Sequence, residues 1–79
     1  MQVNQKVRVK KSAESPVCEA YGLEVRSLSN EERTGWVADI EECEDGKLYL
    51  VVFSECVEDT EETVGTLSDW FNRHELRKL

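Results

Sequence analysis

Val3, Val7 and Val9 alternate with Lys6, Arg8 and Lys10, and this period of two predicts a half-buried strand across residues 3–11. The period is lost across residues 12–34, where Ser12, Ser15, Pro16, Gly22, Ser27, Ser29 and Asn30 interrupt every run. That stretch is expected to be a long loop pinned by Val17, Tyr21, Leu23 and Val25, with a short strand over residues 23–26 as an option inside it. Two β-rich runs, residues 34–40 and 47–53, then flank Glu44-Asp45-Gly46-Lys47. Asp-Gly in that setting predicts a hairpin with a type I′ turn, whose two central residues both need positive φ. In that register Glu44 faces Lys47, Ile40 faces Val51 and position 56 faces Gly35. Leu48 to Phe53 is apolar at every position, so one face of this strand fills the core and the other lies beneath a cover, for which the long loop is the candidate. Residues 55–62 form an acidic excursion, and Val64 to Leu67 leads back into order.

The end of the chain admits two readings. Leu67, Trp70, Phe71 and His74 fit one face of a helix with Ser68 as its N-cap. The alternative is a strand through Trp70 and Phe71, one helical turn near His74 to Leu76 and a last short strand to Leu79. The second is preferred, because four earlier β segments call for a closing partner and an open sheet edge invites aggregation. The sum is an all-β chain, a small SH3-like five-stranded barrel with a long first loop and a short helical turn near the C-terminus. The 79 residues make one domain, 1–79, with no room for a second core.

Charge adds an organisation that the strand pattern does not contain. The formal net charge is −7, but residues 1–11 carry Lys6, Arg8, Lys10 and Lys11 and no acid, whereas residues 12–72 carry sixteen acids against Arg26, Arg33 and Lys47. Residues 73–79 are again basic, with Arg73, Arg77 and Lys78 against Glu75. Barrels of this kind pair their first and last strands, so the two basic ends become neighbours on an otherwise acidic body. The acidic balance argues against a general nucleic-acid coat, since non-specific affinity comes from Lys and Arg on phosphates. The longest apolar run, Leu48 to Phe53, falls far short of the ~20 residues that span a bilayer. Together with an N-terminus that does not read as a secretory signal, this predicts no transmembrane segment and a cytoplasmic location.

Candidate chemistry is sparse. Cys18, Cys43 and Cys56 include no Cys-x-x-Cys and read as reduced thiols, with Cys43 and Cys56 too far apart along the hairpin for a disulfide. His74 is the one histidine, so neither a zinc set nor a convincing Cys–His nucleophile pair is available. The acidic clusters at 41–45 and 58–62 lack the oxygen spacing of a calcium loop, and none of the four glycines belongs to a phosphate-binding loop. No catalytic residue, cofactor or metal is expected, and enzyme activity is not. The aromatics are the better lead. Trp70 and Phe71 are adjacent in a strand, so one belongs to the core and the other is at least partly exposed, with Trp70 the candidate for an interface. The candidate interaction set is Trp70, Phe71, Tyr21 and Trp36, with Glu58, Asp59, Glu61 and Glu62 as acids able to steer a basic partner.

Met1-Gln-Val-x-Gln-Lys-Val-Arg-Val9, Gly35-x-Val37, Val51-Val-Phe53 and Trp70-Phe71-x-x-x-Glu75-Leu76-x-x-Leu79, taken together, resemble the PetP family, small SH3-like peripheral subunits of the cytochrome b6f complex in cyanobacteria and red algae. The opening Lys-Val-Arg-Val-Lys-Lys-Ser12 and the closing Glu-Leu also look like the variable chain of ferredoxin–thioredoxin reductase. Residues 12–34 and 54–66 are longer and more acidic than the loops of the PetP family. The resemblance implies a protein without cofactor or catalytic residues, and an accessory role on the cytoplasmic face of a membrane electron-transfer complex in photosynthesis.

Three functions follow as expectations. The first is a non-catalytic protein-interaction module, with a protein partner and no nucleic acid. The second is a small acidic inhibitor or nucleic-acid mimic, for example phage-encoded, filling a basic groove on a host protein. The third is RNA binding through the basic terminal edge, which the bulk charge opposes.

Overall fold

A computed structural model of the chain describes residues 1–56 and 66–79. Its elements are β1 (Lys6–Val9), α1 (Pro16–Ala20), a 3-10 turn (Val25–Ser27), β2 (Thr34–Cys43), β3 (Gly46–Cys56), β4 (Thr66–Asn72), a second 3-10 turn (Arg73–Glu75) and β5 (Leu76–Lys78). The strands form one antiparallel sheet in the order β4-β3-β2-β1-β5. The C-terminal reading as strand, helical turn and strand therefore holds, and the first and last strands pair through Val7 with Lys78, Arg8 with Arg77 and Val9 with Leu76. Among the described residues no ladder joins β4 to β5, so the sheet is open.

The β2–β3 hairpin is where the sequence predicts, but not in the predicted register. Cys43 pairs with Gly46, Glu42 with Lys47 and Ile40 with Tyr49. The loop is Glu44-Asp45, and positive φ falls on Gly46 (+136°) while both loop residues stay at negative φ. A type I′ turn on Asp45-Gly46 would force Asp45 into the left-handed region. Moving the turn back one residue places that burden on glycine alone. The displacement of the pairing is even, so it leaves each residue on the face that alternation assigns to it.

A second irregularity changes the faces. The register shifts between Val37 and Asp39, leaving Ala38 unpaired. Strict alternation from Gly35 would carry Val37, Asp39 and Glu41 all inward. The bulge at Ala38 breaks this, so that Gly35 and Val37 face inward before it, Ile40 faces inward after it, and Asp39 and Glu41 point the other way.

The inner face holds Val7, Val9, Val37, Tyr49, Val51, Phe53, Phe71 and Leu76, all buried. Phe53 and Phe71 meet edge to face, with centroids 6.1 Å apart and planes at 86°. Residues 12–28 cover this face rather than the second face of β3, contrary to expectation. Ala13 and Val25 join the core and Leu23 packs against it, whereas Val17 and Tyr21, expected as anchors, are exposed. Residues 25–27 form a 3-10 turn instead of part of a strand. Val3 is also solvent-facing and outside β1, because a turn closed by the Gln5 N–H on the Gln2 carbonyl (3.1 Å), with Asn4 at φ +71°, takes it off the strand.

Two carboxylates fasten the long segment. Asp69, buried on the inner row of β4 opposite Val51, accepts hydrogen bonds from the Ser15 hydroxyl, the Val17 N–H (3.1 Å) and the Trp70 N–H (2.7 Å). Glu75 accepts from the Asn72 N–H (2.9 Å) through one oxygen and from the Glu14 N–H (3.1 Å) through the other. That capping box closes the second 3-10 turn and ties it to the start of the long segment. The same contacts set α1 against β4, one edge of the sheet. The other edge, β5, is three residues long and carries Arg77 and Lys78, a short charged strand of the kind that discourages edge pairing.

Candidate functional site

With both edges guarded, the outer face of the sheet is the broad surface left over. The registers lay it out in rows across the strands. Glu41, Leu48 and Asn72 form one row, Asp39, Leu50 and Trp70 the next, and Trp36, Val52 and Ser68 the third. Lys6 extends the third row, and Thr34, Arg8 and Arg77 make the fourth. Leu48, Leu50, Val52 and Trp70 are half-buried, and Trp36 is 36% exposed. An apolar strip therefore runs between acids at one end and cations at the other. It exists because residues 48–53 are apolar on both faces while the cover went to the inner one.

The predicted contact residues separate on this geometry. Trp36 and Trp70 share the outer face, on either side of β3. Phe71 does not belong with them: it is fully buried in the core, so the residue beside Trp70 supplies stability and offers no contact surface. Tyr21 is exposed but belongs to the segment that covers the inner face, so it is not brought to the tryptophans. Glu58, Asp59, Glu61 and Glu62 lie outside the described residues. Leu48, Leu50, Val52, Arg8 and Arg77 were absent from the predicted set. Their signals were the doubly apolar strand and the expected β1–β5 pairing, which needed the register to become one surface.

The two basic ends of the chain do meet, since Arg8 of β1 stands directly opposite Arg77 of β5. Like charges so placed repel. The ion pairs among the described residues are Glu24–Arg26 (3.0 Å) and Glu42–Lys47 (3.8 Å), so Lys6, Arg8 and Arg77 take part in none, and the buried Nε of Arg8 has no hydrogen-bond partner. Asp39 and Glu41 are equally outside these two pairs. The Arg26 guanidinium, hydrogen-bonded to Glu24, holds that carboxyl below its ordinary value, but the pair is fully exposed at the rim of a different feature, a cavity of about 250 Å³ lined in part by Lys11, Ser15 and Glu19.

The cysteines and the histidine that the structure describes lie apart. Cys43 is exposed at the hairpin end, and Cys56 pairs through its backbone with Thr66 at the far end of β3, about 33 Å away along the strand. His74 is exposed in the second 3-10 turn. Among the described residues no cluster of three His, Cys, Asp or Glu could hold a metal ion. No helix among them is long and apolar enough to cross a membrane.

Among the described residues Arg33 is the one buried cation. It is 4% exposed, points inward beside Val9, donates from Nη2 to the Asn30 side chain, and has no partner for Nε or Nη1. Buried donors without acceptors cost about 1–3 kcal/mol each. Arg33→Met is therefore expected to melt no lower than the parent, and up to about 3 kcal/mol more stably, in urea denaturation followed by circular dichroism. A clear drop in midpoint would mean that the guanidinium has an acceptor in solution. Comparison of the chain with protein families, with curated proteins and with solved structures finds no match in any of the three.

Proposed function

We propose that the chain is a non-catalytic protein-interaction module built as an SH3-like barrel, which serves as a small peripheral subunit of a larger assembly. The observation that carries this is the uncovered outer face, where Trp36 and Trp70 flank an aliphatic strip between charges of both signs. The pairing of first and last strands and the helical turn before β5 support the barrel reading. Rigid aromatics beside aliphatic side chains are the composition of interface hot spots. Placement at a photosynthetic electron-transfer complex, on its cytoplasmic side, rests on the resemblance to the PetP family alone.

Affinity capture from the source lysate, with and without membrane solubilisation, is the test. Trp70→Ala should lower recovery of the partner by about tenfold or more, as expected for a central aromatic anchor, while the circular dichroism spectrum stays that of the parent. Recovery of a membrane electron-transfer complex supports the accessory role. Recovery of a nucleic-acid-handling enzyme, released by competing DNA or RNA, would favour the acidic mimic instead. Unchanged recovery with folded Trp70→Ala overturns the outer face as the contact.

A further inference from the structure

We propose that the outer face also pairs with itself, so that the chain forms a weak symmetric dimer through the Trp36–Val52 row; this rests on the outer face being an interaction surface. The argument is charge balance. Arg8 and Arg77 lie in the row on one side of Trp36 and Val52, and Asp39 lies in the row on the other side, each about 7 Å away along the strands. Among the described residues none of these charges takes part in an ion pair, and the opposed arginines repel.

A two-fold axis running across the strands at the Trp36–Val52 row exchanges the rows on its two sides. It sets Trp36, Val52 and, at the end of the row, Lys6 against their own counterparts and brings the Arg8 row of one copy over the Asp39 row of the other, twice. The acids that a single chain leaves unmatched are then what the cations of a second chain lack. The same operation takes Trp36 and Val52 out of water. A patch of four short rows lies at the small end of specific interfaces, so association is weak and concentration-dependent. Edge-to-edge pairing is the less favoured route, since α1 stands against β4 and β5 is three residues long and basic.

Sedimentation equilibrium of the full chain between about 10 μM and 1 mM tests this, with tryptophan emission as a second readout because both tryptophans lie on the face. The expected result is a monomer–dimer equilibrium with a dissociation constant on the order of 10–100 μM and a blue shift of emission on concentration. Arg8→Glu should weaken it about tenfold or more, and adding Asp39→Arg to that variant should restore it to within about threefold. Should Arg8→Glu fail to fold, Asp39→Arg alone is expected to weaken the dimer, and Val52→Lys to abolish it. A chain monomeric at 1 mM overturns the proposal, as does a dimer indifferent to Arg8→Glu, Asp39→Arg and Val52→Lys. If the chain is monomeric while Trp70→Ala still abolishes partner capture, self-pairing alone fails and the interaction module stands.

Discussion

Gly35→Ala is expected to unfold the domain, or to leave it folded only with β2 and β3 forced apart. Gly35 lies buried in the sheet with Val7 of β1 on one side and Phe53 of β3 on the other. A methyl group at this position would stand 2.1 Å from the Val52 carbonyl oxygen and 2.9 Å from the Phe53 Cα. These are backbone atoms of the neighbouring strand, so no side chain can swing aside to make room. Overpacking a core costs about 1–3 kcal/mol where side chains can adjust, and this contact belongs at or above the top of that range. Urea or thermal denaturation followed by circular dichroism measures it. A midpoint within error of the parent would show that the two strands are not so close in solution.

Phe71→Ala should cost about 3–5 kcal/mol, a large share of the ~5–15 kcal/mol that holds an ordinary domain together. The ring is fully buried on the inner face of β4 and meets Phe53 of β3 edge to face. Its removal leaves a cavity walled by strands, which cannot collapse around it without disturbing the ladders. The informative comparison is with Trp70→Ala one residue earlier, on the outer face. If the fold is as described, Phe71→Ala lowers the denaturation midpoint far more than Trp70→Ala, whereas Trp70→Ala alone impairs partner capture. Equal losses of stability would mean that Trp70 is as much a core residue as Phe71.

The contrast between those neighbours was legible in the sequence, because adjacent residues in a strand must face opposite ways. So were the location of the hairpin, the basic meeting of the two chain ends and the strand–turn–strand finish. The register of the hairpin was not. Asp45-Gly46 reads as a two-residue turn, and only the observed torsions assign the glycine to the position after it. The anchors of residues 12–28 were hidden for a different reason. Asp69 reaches Ser15 and Val17, and Glu75 reaches Glu14, across separations of 54, 52 and 61 residues. Local period counts apolar positions and is blind to a serine hydroxyl or a backbone N–H that pairs with a distant carboxylate. Val17 and Tyr21, chosen as anchors for their hydrophobicity, stay in water as a result.

Ala38 carries more information than its methyl group suggests. It stands outside the ladder, and its contribution is to the count of residues between Val37 and Asp39. Were Ala38 drawn into the ladder, the polarity of everything from residue 39 to the hairpin would invert, placing Asp39 and Glu41 beneath the sheet and Ile40 above it. Whether this one residue is counted in the ladder thus acts as a parity bit, deciding which side of the sheet is oil and which is water.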